Sequence, residues 1–388
     1  MAEATLRVGA TSGPRLDELV AATPSTRDRY VDFIRALSIT VVVVGHWIGS
    51  IIGWERGVVK VHNVVGLIPG LWSLTWVLQV LPLFFFVGGF SNFTSVVNTQ
   101  RRGESMSTFM RGRLVRLLKP TAIFVAIWLV VLVAVHAAGA IKPAYMRATV
   151  LLFGPLWFLV VYIILTALTP VMRILHLRFG IAVVAVITLL VVGVDVLRIA
   201  LRVPEIGWAN FGFVWLLAHQ LGFFYADGTL TRARRGVRLM IALGGLAGVF
   251  LLTHFGSYPK SMVGTGYEPI SNMTPPNVCI LSLTFWLVGA SMLLRGPVSR
   301  WLAKPGPWKT VVAANSMIMT VYLWHLTAYA AAYGLLSAAG FAGSPAGSGR
   351  WWLERSVWLV GPGLALALFI FLFRRFEHPT LRPRAATA

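Results

Sequence analysis

Val31-Asp-Phe-Ile-Arg-Ala-Leu-Ser-Ile-Thr-Val-Val-Val-Val-Gly-His46 is an apolar stretch that carries two costly side chains, Arg35 and His46, with ten residues between them. Continued by Trp47, Ile48, Ile51 and Ile52, it is long enough to cross a bilayer as a helix. Eleven positions along an α-helix is close to three turns, so both side chains project from one face, about 16 Å apart along the axis. A guanidinium that keeps its charge and an imidazole that exchanges protons near neutrality thus share one stripe. Ionisable side chains at membrane depth are expensive, and they are functional candidates by default.

The rest of the chain repeats the apolar pattern. Its 388 residues are 57% hydrophobic and 12% charged, and the mean hydropathy of +0.76 excludes an ordinary soluble domain. Apolar runs fall near 31–53, 67–97, 119–140, 148–171, 180–201, 208–226, 237–256, 277–294, 311–338 and 353–376. They predict an all-α, polytopic integral membrane protein with about ten transmembrane helices. The second and ninth runs are long enough to tilt, kink or extend beyond the bilayer, and Pro82 offers the second a kink point.

A formal charge of +21 would suggest a nucleic-acid partner in a soluble chain; here it reports topology. With the N-terminus inside, the inner segments hold twenty-four Lys and Arg residues. The outer ones hold seven: Arg56, Lys60, Lys142, Arg147, Arg202, Lys260 and Arg350. That bias predicts a multi-pass protein of the inner (plasma) membrane with both termini cytoplasmic and no nucleic-acid partner. Ten spans, an even number, agree. Residues 1–29 are polar, contain Pro14 and Pro24, lack the apolar core of a signal peptide, and are expected to be a mobile cytoplasmic tail; 380–388 are expected to be a second cytoplasmic tail. Cys279 is the single cysteine, which excludes disulfides within the chain and cysteine metal clusters.

The segment Tyr30 to His46 resembles the opening helix of the acyltransferase 3 family, integral membrane enzymes that transfer acyl groups to carbohydrates and related hydroxyl acceptors. Further pieces are similar to that family's motifs: Leu83-Phe-Phe-Phe-Val-Gly-Gly-Phe90, Arg113-Leu-Val-Arg116, Gly154-Pro-Leu-Trp-Phe-Leu159, Met319-Thr-Val-Tyr-Leu-Trp-His325 and Phe376-Glu-His-Pro379. The resemblance runs from about residue 29 to 379, and it implies one membrane domain over 30–379. No segment resembles the extracytoplasmic hydrolase-like domain fused to some relatives. Three positions depart from the family pattern: Pro82 where many members are acidic, Gly88 in place of the common Ser, and Pro155 where a His is frequent. These departures resemble those of actinobacterial members, some of which are associated with trehalose mycolate modification.

For His46, a neutral imidazole deep in a span can take a proton from a hydroxyl; the alternative is a packing histidine hydrogen-bonded between helices. Arg113 and Arg116 are three apart at the inner boundary, and paired guanidinium forks suit phosphate oxygens; the alternative is a positive-inside anchor. His325 follows Tyr322 and Trp324, a grouping that also occurs as an interfacial aromatic belt. Asp195 and Arg198, three apart, are expected to neutralise one another. Asn92 and the pair His219-Gln220 line a polar cavity or hydrogen-bond between helices. The outer connection 257–276 is rich in Gly, Pro and Ser, and Tyr258, Tyr267, Glu268 and Asn272 are its candidates for facing a sugar, a plain surface lid being the alternative. His62, His136, His176, His254 and His378 carry no assigned role.

Together these readings predict a membrane O-acyltransferase that takes acyl-CoA from the cytoplasm and modifies a hydroxyl of an envelope glycan, glycolipid or related acceptor in the bilayer. Arg35, Arg113 and Arg116 would hold the donor phosphates, and His46 would act as base or acyl carrier. His325, Tyr322, Asn92 and Trp157 are candidates for contacting substrate. No bound cofactor and no metal is implied, because no His, Asp or Glu cluster has ligand spacing. A proton-coupled transporter or flippase of a lipid-linked or acidic substrate, with Arg35, His46 and His325 lining its path, fits the same intramembrane residues.

Overall fold

The computed structural model describes residues 16–24, 26–55, 58–139, 149, 151–341 and 344–377. The expected tails at 1–15 and 380–388, and Lys142, Arg147, His378 and Pro379, lie outside these. Residues 16–21, read above as part of a tail, instead form a short helix, α1 (Leu16–Ala21). It docks because Val20 covers an apolar cluster of Leu302, Trp308 and Val311, while Asp17 pairs with Lys309 at 2.6 Å.

The first membrane helix, α2 (Arg29–Gly49), starts where Asp28 accepts the N–H groups of Tyr30 and Val31, an N-cap that satisfies two otherwise orphaned donors. It ends four residues earlier than expected. Residues 50–53, apolar enough to extend the span, turn into an antiparallel hairpin of β1 (Ser50–Glu55) and β2 (Val58–Asn63). Gly49 weakens the helix there, and Ile51 and Ile52 are β-branched residues that suit a strand.

The remaining helices of three turns or more among the described residues are α3 (Leu81–Arg101), α4 (Met106–Ala137), α5 (Leu156–Phe179), α6 (Ile181–Ile199), α7 (Asn210–Ala226), α8 (Arg235–His254), α9 (Val278–Leu302), α10 (Pro305–Ser316), α11 (Ile318–Ala338) and α12 (Gly349–Phe373). Pro82 sits in the first turn of α3, where its missing N–H costs nothing, and the break falls just before it at Gln79–Val80. Ser105 caps α4, which therefore begins well before the apolar run and carries Arg111, Arg113, Arg116 and Lys119 as helical residues. At 32 residues α4 is about 48 Å long, more than a bilayer core needs.

Eight helical segments among the described residues are long and apolar enough to cross a membrane, nine if the α10–α11 pair, bent by 70°, counts as one span. The expected span at 208–226, missing from that set, is α7, only 17 residues long. Its enclosure explains how a short helix serves: Val214, Trp215, Leu217, Ala218 and Phe223 are completely buried, so protein rather than lipid surrounds it. Helices in lipid gain little from apolar burial and associate where small residues allow close approach. A Cβ on Gly89 would sit 1.9 Å from the His219 carbonyl oxygen and one on Gly222 2.1 Å from that of Phe86, so α3 and α7 meet backbone against backbone. Outward-facing residues of α4, α5, α6 and α12, such as Val130, Ile174, Leu189 and Phe371, are exposed as a lipid-facing surface requires.

Candidate functional site

α2 is fastened to α10 near its start and to α11 at its end. Asn315 Nδ2 donates to the Asp32 carbonyl at 2.9 Å, Trp47 Nε1 to the His325 carbonyl at 3.0 Å, and the Tyr329 hydroxyl to the Ser50 carbonyl at 3.1 Å. Next to the second of these contacts, His46 Nδ1 lies 2.9 Å from His325 Nε2. The rings are within 8° of parallel with centroids 5.1 Å apart, too far for face-to-face overlap, so they meet edge to edge in an in-line N–H···N bond.

Their partners determine the protons. His325 Nδ1 is 2.6 Å from the Tyr322 carbonyl oxygen, which only accepts. A neutral His325 therefore spends its one N–H on that carbonyl, and its Nε2 accepts from His46 Nδ1–H. This assignment leaves the lone pair of His46 Nε2 free. His325 is fully buried, whereas His46 is only partly so, which leaves the outer member of the pair reachable.

At the other end of the stripe, Arg35 Nη1 pairs with Asp32 at 2.9 Å and Nη2 donates to Ser91 Oγ at 2.6 Å. Asp32 is shared with Arg27. Arg113 Nη2 donates to the Ser91 carbonyl at 2.8 Å and to Ser95 Oγ, so Ser91 links Arg35 on α2 to Arg113 on α4. Arg116 lies within electrostatic reach of Arg35 and of Glu377. Arg113 and Arg116 line a 360 Å³ cleft with Ser95, Asn98, Thr99, Thr108, Phe109, Gly112 and the exposed Arg102–Glu104 pair. Arg35 does not line it; it stands behind Ser91, paired with the Asp32 carboxylate that it shares with Arg27. Serine and threonine hydroxyls, one amide and three guanidiniums line the cleft together with Phe109 and Glu104, whose carboxylate is spent on Arg102; the two remaining guanidiniums suit an oxygen-rich anion.

Other candidates are placed elsewhere. Asn92 is completely buried, with Nδ2 on Thr166 Oγ1 at 3.0 Å and on His219 Nε2 at 3.1 Å, so it joins α3, α5 and α7. Trp157 packs among Phe158, Phe211 and Trp215. Tyr322 gives its hydroxyl to the Pro155 carbonyl, next to Phe158. Gln220 bonds His176, which in turn reaches Asp227 at 3.0 Å. A Cβ on Gly88 would sit 2.7 Å from the Tyr162 ring, so a larger residue there would need that ring to shift.

Asp195 corrects the expected ion pair. Its short contacts are the Tyr258 hydroxyl at 3.0 Å, Asn210 Nδ2 at 3.0 Å and the Val278 N–H at 2.8 Å, and Arg198 contributes only longer-range charge. Tyr258 thus anchors the connection 257–276 to α6 instead of standing free for a ligand, and burial followed by the Asp195 charge raises its phenol above the usual range. Asn272 is likewise buried, bonded to the carbonyls of Pro259 and Ser261. Tyr267 stacks on His62 at 4.6 Å. Among the described residues no group of three His, Cys, Asp or Glu side chains is arranged to hold a metal ion.

Asp32, Ser91, Ser95 and Glu377 belong to the site and were not singled out from the sequence. Ser91 and Ser95 had one available signal: they lie four apart on the helix that faces Arg113. A family model described as an acyltransferase domain matches residues 28–374, nearly the whole chain. Comparison with curated proteins and with solved structures gives no significant match.

Proposed function

Since the chain belongs to the acyltransferase 3 family and is a multi-pass membrane acyltransferase, we propose that it transfers an acyl group from cytoplasmic acyl-CoA to a hydroxyl of an envelope glycan, glycolipid or related acceptor. The observation that carries this reading is the His46–His325 pair, whose partners leave His46 Nε2 as an unshared lone pair. As the acceptor oxygen attacks the thioester carbonyl, His46 Nε2 takes the hydroxyl proton. The new C–O bond forms, the C–S bond breaks, and the leaving thiolate receives the proton back from His46. His325 Nε2, accepting from His46 Nδ1, holds the ring in that tautomer and offsets the charge that develops on it.

The cleft of Arg113 and Arg116 supports a donor that carries phosphates, and Arg35 supports it from behind through Ser91. Eleven residues of α2, about 16 Å, separate this end from the base, which suits a donor whose anionic head and thioester are joined by a long arm. The charge bias of the loops favours cytoplasmic termini in the plasma membrane, with the arginine end inward and His46, three residues from the end of α2, toward the outer side.

The test is thiol release from acetyl-CoA by the purified protein in detergent. Wild type is expected to liberate CoA, and His46→Ala to lose about 10²- to 10⁴-fold of that rate, the range of general-base catalysis. Equal rates in the two proteins would exclude His46 as base. A transporter would move its substrate without consuming any thioester.

A further inference from the structure

Glu377 follows the last turn of α12 and reaches back to a helix that begins 59 residues before it. α11 starts at the 70° bend with no capping side chain of its own: Met317 occupies the N-cap position and cannot accept. The carboxylate of Glu377 fills that role. Oε1 accepts the Met319 N–H at 2.9 Å, and Oε2 accepts the Thr320 N–H at 3.0 Å and the Thr320 hydroxyl at 2.9 Å. Both residues are buried, Thr320 being 2% and Glu377 9% exposed, so these bonds have little competition from water. An anion at a helix N-terminus is also favoured by the helix dipole.

The capped helix is the one that holds His325, five residues beyond Thr320, roughly one and a half turns. The capping carboxylate also lies within electrostatic reach of Arg116, in the cleft. One side chain therefore touches the frame of the histidine pair and the charge balance of the arginine end. Resting on the acyl-CoA reading above, we propose that Glu377 is a positioning residue: its cap sets His325 against His46, and its charge offsets Arg116 until the donor phosphates replace it there. Burial raises the Glu377 carboxyl above the usual carboxylate range, against which the Met319 and Thr320 N–H groups and Arg116 act. The group thus depends on these partners to remain charged.

The two roles separate by substitution. Glu377→Gln removes the charge and part of the cap; Glu377→Asp keeps the charge but shortens the reach; Thr320→Val removes one cap bond and leaves the charge. With the full-length protein in detergent, CoA affinity is read by calorimetry and turnover by thiol release from acetyl-CoA. Glu377→Gln is expected to bind CoA about threefold or more tightly, because Arg116 is no longer offset, yet to turn over about tenfold more slowly. Glu377→Asp and Thr320→Val are expected to slow turnover with CoA affinity unchanged, and Arg116→Gln to abolish the tightening caused by Glu377→Gln. A purely structural role would lower turnover without tightening CoA binding, and that result overturns the proposal. Should Glu377→Gln fail to fold, wild-type turnover in both Glu377→Asp and Thr320→Val overturns the cap. Wild-type protein that binds no CoA overturns the donor reading and this role with it, whereas intact donor binding that is indifferent to Glu377 overturns this role alone.

Discussion

The two ends of the α2 stripe hold their polar groups in opposite ways. At the histidine end, among the described residues, the bonded ring nitrogens are held by the other ring and by backbone carbonyls of one turn of α11, and His325 is fully buried. At the arginine end, three guanidiniums share Asp32, Ser91, Ser95 and the distant charge of Glu377, beside a cleft that opens to solvent. A group with one partner fails completely when the partner is lost, whereas a group among several loses only a share. The histidine end should respond to substitution steeply in turnover, and the arginine end in a graded way in donor affinity.

The largest effect after His46→Ala itself is expected at its partner. Replacing His325 by Phe keeps a ring of similar bulk but leaves His46 Nδ1–H without an acceptor and removes the preference for the tautomer that frees Nε2. Turnover should fall about 10- to 100-fold, the usual cost of losing a group that orients an imidazole, with the KM for acyl-CoA little changed. An unchanged turnover would make the pair a packing contact, and the two ends would no longer differ in kind.

A smaller, graded effect is expected from Arg113→Ala and Arg116→Ala taken singly. Losing one charge-assisted contact to phosphate in an open, solvated cleft costs about 1.5 kcal/mol, the low end for such bonds, so KM for acyl-CoA should rise about tenfold while kcat holds. Because the cleft is open, raised ionic strength should increase the wild-type KM in the same direction. If kcat fell instead and KM held, these arginines would belong to the helical frame and not to donor binding.

What was legible in the sequence follows the range of each interaction. Arg35 and His46 lie on one helix, so their spacing was enough to align them, and Arg113 and Arg116 were read as a pair for the same reason. The helices were visible as apolar runs. The hairpin at 50–63 was not, because Ile51 and Ile52 satisfy a hydropathy criterion equally well as a strand or as the end of a span. His325 was visible as a residue but not as a partner: 279 positions separate it from His46, and no local signal joins them. Asp195 shows the reverse error. Its neighbour at three residues on α6 was the natural partner by spacing, yet it is bonded to Asn210, Tyr258 and Val278, which only the tertiary fold brings near.

Asn92 marks the lower limit of these effects. By residue type it is as polar as the site, and it lies one residue past Ser91, but that step of about 100° along the helix turns it from the arginine cluster into the contact between α3, α5 and α7. Asn92→Ala would strip partners from Thr166 and His219 in a site without exposure, which costs about 1–3 kcal/mol of stability. Thermal unfolding in detergent should show that loss, while KM and kcat, measured well below the transition, should stay near wild type. Asn92→Ala with normal stability but a raised KM for acceptor would extend the site across α3 and give the chain a polar region belonging to neither end of the stripe.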